Sequence, residues 1–167
     1  HLAMGQPSPH GRWVHLYFNG LYWGLYNLLE RPDADFAASY SGGRAEDYDA
    51  IKHASQDCPT CYAVNEYEVI EGDAVAWRSA LNLAAAGLSG SASYDAFRAL
   101  VNVENLADYI LLNHYVGNAD WPHKNWYATR KREPGAGFQF DGGALFAPGT
   151  IKRQGFLGQV FENAALL

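Results

Sequence analysis

Residues 118–125 read Asn-Ala-Asp-Trp-Pro-His-Lys-Asn, and Asn118, Asp120, His123, Lys124 and Asn125 all carry side chains able to act on a substrate. A loop between regular elements is where a rigid scaffold presents such groups. Asp120 and Asn125 have the D-x4-N spacing of phosphoryl-transfer loops. There the carboxylate orients a hydroxyl proton and the carboxamide oxygen holds a metal ion. Asp108 and Asn113 repeat the spacing inside a predicted helix, so spacing alone also admits a simpler role, in which Asp120 and Asn125 cap a turn. Farther on, Asp141 ends a predicted strand and precedes Gly142-Gly143. A carboxylate there can serve the same metal or open a turn.

Cys58-Pro59-Thr60-Cys61 is the one CxxC. A zinc site needs two further ligands, and His53 is the only histidine near enough in sequence. A redox pair expects a strand before it and a helix after it, and neither is evident. A loop-closing disulfide or two free thiols is the reading favoured over a zinc site and over redox catalysis, with no metal expected. GxSxG, Walker and HExxH motifs are absent from the sequence.

The elements that must position these groups are partly legible. Trp13–Phe18 and Leu21–Leu28 are β-rich runs around Asn19-Gly20, the pair that accepts positive φ in a two-residue hairpin turn. Val14, Leu16 and Phe18 should share one face, as should Leu21, Trp23 and Leu25; Gly24 suggests a bulge or a close backbone approach. Pro32 or Asp33 opens a short helix that Gly42-Gly43 ends. Residues 44–72 are polar and weakly patterned, which predicts loop with one short strand near 66–70. Asp73 caps a helix over 74–86, a linker over 89–93 leads to a short helix at 94–100, and Asn102 caps a longer one over 103–116. In that last helix Val103, Leu106, Ile110 and Asn113 form a stripe flanked by Ala107, Leu111 and His114. Trp126–Arg130 and Phe138–Phe140 make a second hairpin. The order is strands, helices, strands, which predicts a segregated α+β chain.

Composition bounds the function. The 167 residues carry a net charge of −6, and 49% are hydrophobic, enough for one core. Through residue 119 there are 14 acids and 6 bases; from residue 120 on there are 4 and 6. An acidic chain without clustered Lys and Arg is a poor nucleic-acid binder. No apolar run approaches the ~20 residues of a membrane span. The opening His1-Leu2-Ala3-Met4 has no export signal and is expected to be an excised or processed start.

Three blocks together resemble the CotH family, spore-coat proteins with an atypical protein-kinase-like domain. They are Trp13–Asp33, then Asn102–Tyr109 with Val116–Tyr127, and, less closely, Gly137–Asp141. The resemblance covers residues 10–146; the tail over 147–167 is unassigned. It implies a kinase-like fold in which residues 13–28 are an N-lobe hairpin, residues 73–116 a helical C-lobe, and the upstream half of the N-lobe is missing, so that residues 1–167 form a single domain or a fragment. It implies Asp120 as the catalytic carboxylate, Asn125 and Asp141 as ligands of Mg²⁺ or Mn²⁺, and Glu30 and Lys124 beside ATP. Asp120, Asn125 and Asp141 should then converge on one cleft. The implied reaction is transfer of the ATP γ-phosphoryl to Ser or Thr, at an extracellular or cell-surface location, on a protein substrate or surface-assembly partner. Two departures from the family pattern predict low activity for this chain alone. A glycine-bearing phosphate loop is not present upstream of Trp13, and Phe140-Asp141-Gly142-Gly143 stands where the family has Trp-Asp-x-acid. The alternative is a non-catalytic module that uses the aromatic hairpin (Trp13, Tyr17, Tyr22, Trp23 and Tyr26) as a contact surface.

Overall fold

In a computed structural model the structure describes residues 1–53, 67–118, 121–122 and 125–141. Among them are two antiparallel sheets and four α-helices. The order is β1 (Gly11–Phe18), β2 (Leu21–Leu29), α1 (Ala34–Ser41), β3 (Tyr48–His53), β4 (Tyr67–Glu71), α2 (Val75–Ala86), α3 (Ser91–Arg98), α4 (Val103–Tyr115), β5 (Tyr127–Lys131) and β6 (Gln139–Asp141). The chain is α+β, as the element order implied.

β1 and β2 form a two-stranded sheet by themselves. Asn19 and Gly20 both have positive φ, 50° and 79°, as the two-residue turn requires. A bulge opposite Leu16/Tyr17 shifts the register, so Leu21 opposes Phe18 while Leu25 opposes His15. Phe18 and His15 point to opposite faces. The expected common face for Leu21, Trp23 and Leu25 is therefore broken, and the cause is the extra residue beside Gly24, whose φ of 141° suits glycine. Both faces of the hairpin end up apolar and exposed.

The second sheet has the order β4-β3-β5-β6. β3 corrects the expectation of loop over 44–72. Its sequence, Tyr-Asp-Ala-Ile-Lys-His, lacks polar/apolar alternation because both of its faces are covered. On one face Ile51 joins Ala128, Trp77, Tyr109, Trp126 and Phe138 in the main core, under α2 and α4. On the other, Tyr48 and Ala50 pack against Ala34 and Ala37 of α1. Asp49 is buried yet compensated: it accepts from the backbone N–H of Asp73 at 3.0 Å and pairs with Arg130 at 3.4 Å.

Capping explains where the helices begin. Asp33 accepts from the N–H of Phe36 and Asn102 from that of Asn105, each at 3.1 Å. Asp73, expected to cap α2, stands one residue before the cap position, which is Ala74, and accepts from the N–H of Val75 at 2.8 Å. Serines 91 and 93, read as linker, belong to α3. In α4 the buried positions are Asn105, Tyr109 and Asn113, while Leu111 lies exposed. The stripe predicted from apolar residues is thus rotated, because two asparagines find backbone and side-chain partners inside and so outcompete leucine for the interior. No helix among the described residues is long and apolar enough to cross a membrane.

Candidate functional site

The loop after α4 is anchored at its start by a relay of asparagines. Asn113 donates to the Tyr109 carbonyl at 2.9 Å, Asn118 Nδ2 donates to Asn113 Oδ1 at 2.7 Å, and the Asn118 N–H reaches the Asn113 carbonyl at 3.0 Å. Trp121 lies edge-on to Tyr109, 5.9 Å between ring centroids. At its far end Asn125 adopts φ 62°, a left-handed conformation that asparagine tolerates better than other side-chain-bearing residues. Its N–H donates to His53 Nδ1 at 3.1 Å, and its carbonyl accepts from the Tyr109 hydroxyl at 3.3 Å. Burial holds the Tyr109 phenol well above its usual range, so it stays a donor.

Asp141 ends β6 directly opposite Tyr127, and Asn125 lies two residues before Tyr127. Both expected metal ligands therefore sit at one end of the sheet. The Asp141 side chain shares a sheet face with Thr129, whose hydroxyl donates to Asp141 Oδ2 at 3.2 Å. Asp141 is only 2% exposed. Desolvation pushes its carboxyl up to about 7, with the Thr129 bond opposing. A buried carboxylate with one neutral donor is under-compensated; burial favours its protonated form, and a cation is the kind of partner that could hold it ionised. Among the described residues no three His, Cys, Asp or Glu side chains cluster as a ready-made cage.

Asp141 and Thr129 line a cleft of about 620 Å³ that runs from α1 to the start of α4. Its wall carries Arg98, Arg130 and Lys131 together with Glu104 and Glu133; Lys131 pairs with Glu133 at 2.9 Å, and Arg130 with Asp49 at 3.4 Å. Glu30, expected beside the nucleotide, follows β2. It accepts from the His10 N–H at 2.8 Å and from the Tyr40 hydroxyl at 3.0 Å, bonds that hold its carboxyl below the usual range. Its side chain thus ties the base of the hairpin to α1. Asp120, Lys124, Cys58 and Cys61 lie outside the described residues; of the three groups expected to converge, Asn125 and Asp141 are placed at the same end of the sheet, and Asp141 alone of these two lines the cleft.

Thr129, His53 and Tyr109 are the residues that reading the sequence missed. Alternation along a correctly registered second hairpin would have placed Thr129 on the Asp141 face. Nothing local marks His53 or Tyr109, which meet Asn125 across 72 and 16 positions.

No curated protein matches the chain. The family model described as CotH kinase protein does match, over residues 2–139, which takes in both hairpins up to Gln139, all four helices and the loop, and stops just short of Asp141. The chain belongs to the CotH kinase protein family.

Proposed function

We propose that this chain supplies the metal- and acceptor-facing part of a kinase-like catalytic domain, which in the intact protein moves the γ-phosphoryl of ATP to a Ser or Thr hydroxyl of a protein at the cell surface. The observation that carries the reading is the under-compensated Asp141 carboxylate at the same sheet end as Asn125, in a chain of the CotH kinase family. Asn125 and Asp141 would hold Mg²⁺ or Mn²⁺ with ATP, Lys124 would face the phosphates, and the segment at Glu30 would border the base. When bound, the cation supplies neutralisation of charge developing on the transferred group. Asp120 takes up or orients the hydroxyl proton as the new oxygen–phosphorus bond forms. The bond to the bridging oxygen breaks, and ADP leaves with its electron pair.

Arg98 adds positive charge at the cleft, while Arg130 and Lys131 are paired with Asp49 and Glu133, and charge alone does not give in-line geometry. The 167 residues alone are therefore expected to bind metal–nucleotide weakly and to turn over little. The test is transfer of radiolabelled γ-phosphate to the chain itself and to a generic acceptor, with Mg²⁺ or Mn²⁺, beside Asp120→Ala. Nucleotide binding with little transfer is expected. Robust transfer abolished by Asp120→Ala would overturn the low-activity reading, and no nucleotide binding would overturn the kinase-like one.

One observation favours a second reading, a non-catalytic contact module. Trp13, Phe18, Leu21 and Trp23 are each more than 60% exposed on a hairpin apolar on both faces. Isolated hairpins of that kind are marginal unless something covers them.

A further inference from the structure

The buried stripe of α4 holds more than a core. Asn105, Tyr109 and Asn113 recur every four residues, and each reaches a different part of the candidate site. Asn105 grips the backbone of Phe140 from both sides: its Nδ2 donates to the Phe140 carbonyl at 3.3 Å and its Oδ1 accepts from the Phe140 N–H at 2.6 Å. Phe140 immediately precedes Asp141. Tyr109 stacks on the Phe140 ring, 5.6 Å between centroids, and donates its hydroxyl to the Asn125 carbonyl. Asn113 takes the Asn118 carboxamide at the start of the loop.

Asn125 is then closed from the opposite side by His53. That ring is set at the end of β3, edge-on to Trp126 and Tyr127 at 6.4 Å and 6.3 Å. Its Nδ1 lies 3.1 Å from the Asn125 N–H, which it can accept, and 3.3 Å from the Trp126 carbonyl, so the ring sits against both backbone groups that flank this turn. The peptide groups before and after the Asn125 Cα are thus pinned by two residues from different elements. A side-chain-bearing residue keeps a left-handed backbone only where its surroundings over-determine it. With both dihedrals held, the direction in which the carboxamide leaves the backbone is held too.

We propose that Tyr109 and His53 are positioning residues, which fix the Asn125 carboxamide against the Asp141 carboxylate so that the two can share one divalent cation. The inference rests on the metal-binding reading above and goes beyond it by assigning two residues that touch neither metal nor substrate. Tyr109 also couples the ligands mechanically, since one side chain contacts both Asn125 and the residue before Asp141.

The experiment measures Mn²⁺ affinity of the full chain in the presence of ADP, by electron paramagnetic resonance of the free ion. Values are corrected to the fraction folded by circular dichroism. Tyr109→Phe removes one hydroxyl and leaves the ring in the core. His53→Leu removes the acceptor, while His53→Asn restores an acceptor oxygen close to the Nδ1 position. Loss of an outer partner of a metal ligand commonly costs about 10–100-fold in affinity. Tyr109→Phe and His53→Leu are expected to fall in that range, and His53→Asn to recover most of the loss. Asn125→Ala separates the two levels of the argument. If Asn125→Ala weakens Mn²⁺ while Tyr109→Phe and His53→Leu do not, the positioning inference is wrong and the metal reading stands. If Asn125→Ala binds as the parent does, or the parent does not bind, both fall. Recovery absent in His53→Asn would reduce His53 to a packing residue and overturn its part.

Discussion

Replacing Asp141 by Asn is the sharpest test of how the site is built. The carboxyl is nearly fully buried and titrates near 7 in the folded chain, against 3.8 for the ordinary group. Because the folded value is raised, the folded state holds its proton over a range in which the unfolded state has lost it. The contribution is fully present below about 4 and is lost as pH rises through 7. At about 1.4 kcal/mol per unit, the interval amounts to roughly 4 kcal/mol, an upper figure because relaxation and water entry reduce it. Asp141→Asn has no such term. The assay is urea unfolding of both proteins from pH 4 to pH 8.5 without divalent cations. The difference between the two should be small near pH 4 and grow to several kcal/mol in favour of Asn at pH 8. Adding Mn²⁺ with ADP should narrow that gap, because the cation favours the carboxylate form only in the parent. Differences independent of pH would refute the argument, and would mean that the carboxylate is solvated or already compensated.

Two further outcomes follow from packing. Gly72 has φ +71°, and a Cβ there would meet Asp49 Oδ1 and come within 2.6 Å of the Tyr48 carbonyl, so Gly72→Ala should cost at least about 2 kcal/mol in urea unfolding. A loss below 0.5 kcal/mol would show that the β3–β4 edge is open. Trp23→Ser, in the exposed hairpin, should change stability by only about 0.5 kcal/mol while reducing binding of a hydrophobic dye, whereas Trp77→Ala, in the main core, should cost about 3–5 kcal/mol. Equal losses at the two tryptophans would mean that the hairpin faces are covered in solution.

What could be read from the sequence was what is encoded within a few residues. Asn19-Gly20 specifies its own turn, and Asp33 and Asn102 specify the helix starts they cap. The second hairpin, and with it the location of Asp141, follows from the same local chemistry. β3 was hidden because a strand covered on both faces need not alternate, and because its buried Asp49 looks like a loop residue until Arg130, 81 positions away, is brought beside it. The α4 stripe was displaced for a related reason. Apolar periodicity assumes that buried means apolar; it reached Asn113 but left out Asn105, which is buried because it completes hydrogen bonds for another segment. In the candidate site, residue type drew attention to Asn125 and Asp141, whereas the groups that contact them, Tyr109, His53 and Thr129, are brought there only by the fold.

That division bears on which parts of the chain can vary without loss of the site. The sheet turns one face to the main core, through Ile51, Ala128 and Phe140, and the other to α1 and the cleft, through Ala50, Thr129 and Asp141. Packing errors on the core face would be felt at the site, because Phe140 is both a core side chain and the backbone neighbour of Asp141. A register slip of one residue in β5–β6 would exchange Asp141 for Phe140, placing a phenyl ring in the cleft and a carboxylate against Trp77. The Asn105 grip on the Phe140 backbone opposes that slip, since both its donor and its acceptor would lose their partners together. The same two hydrogen bonds therefore bear on both the register of β6 and the placing of Asp141. Asn105 is the position in α4 where an apolar substitution would remove register control rather than add to the core.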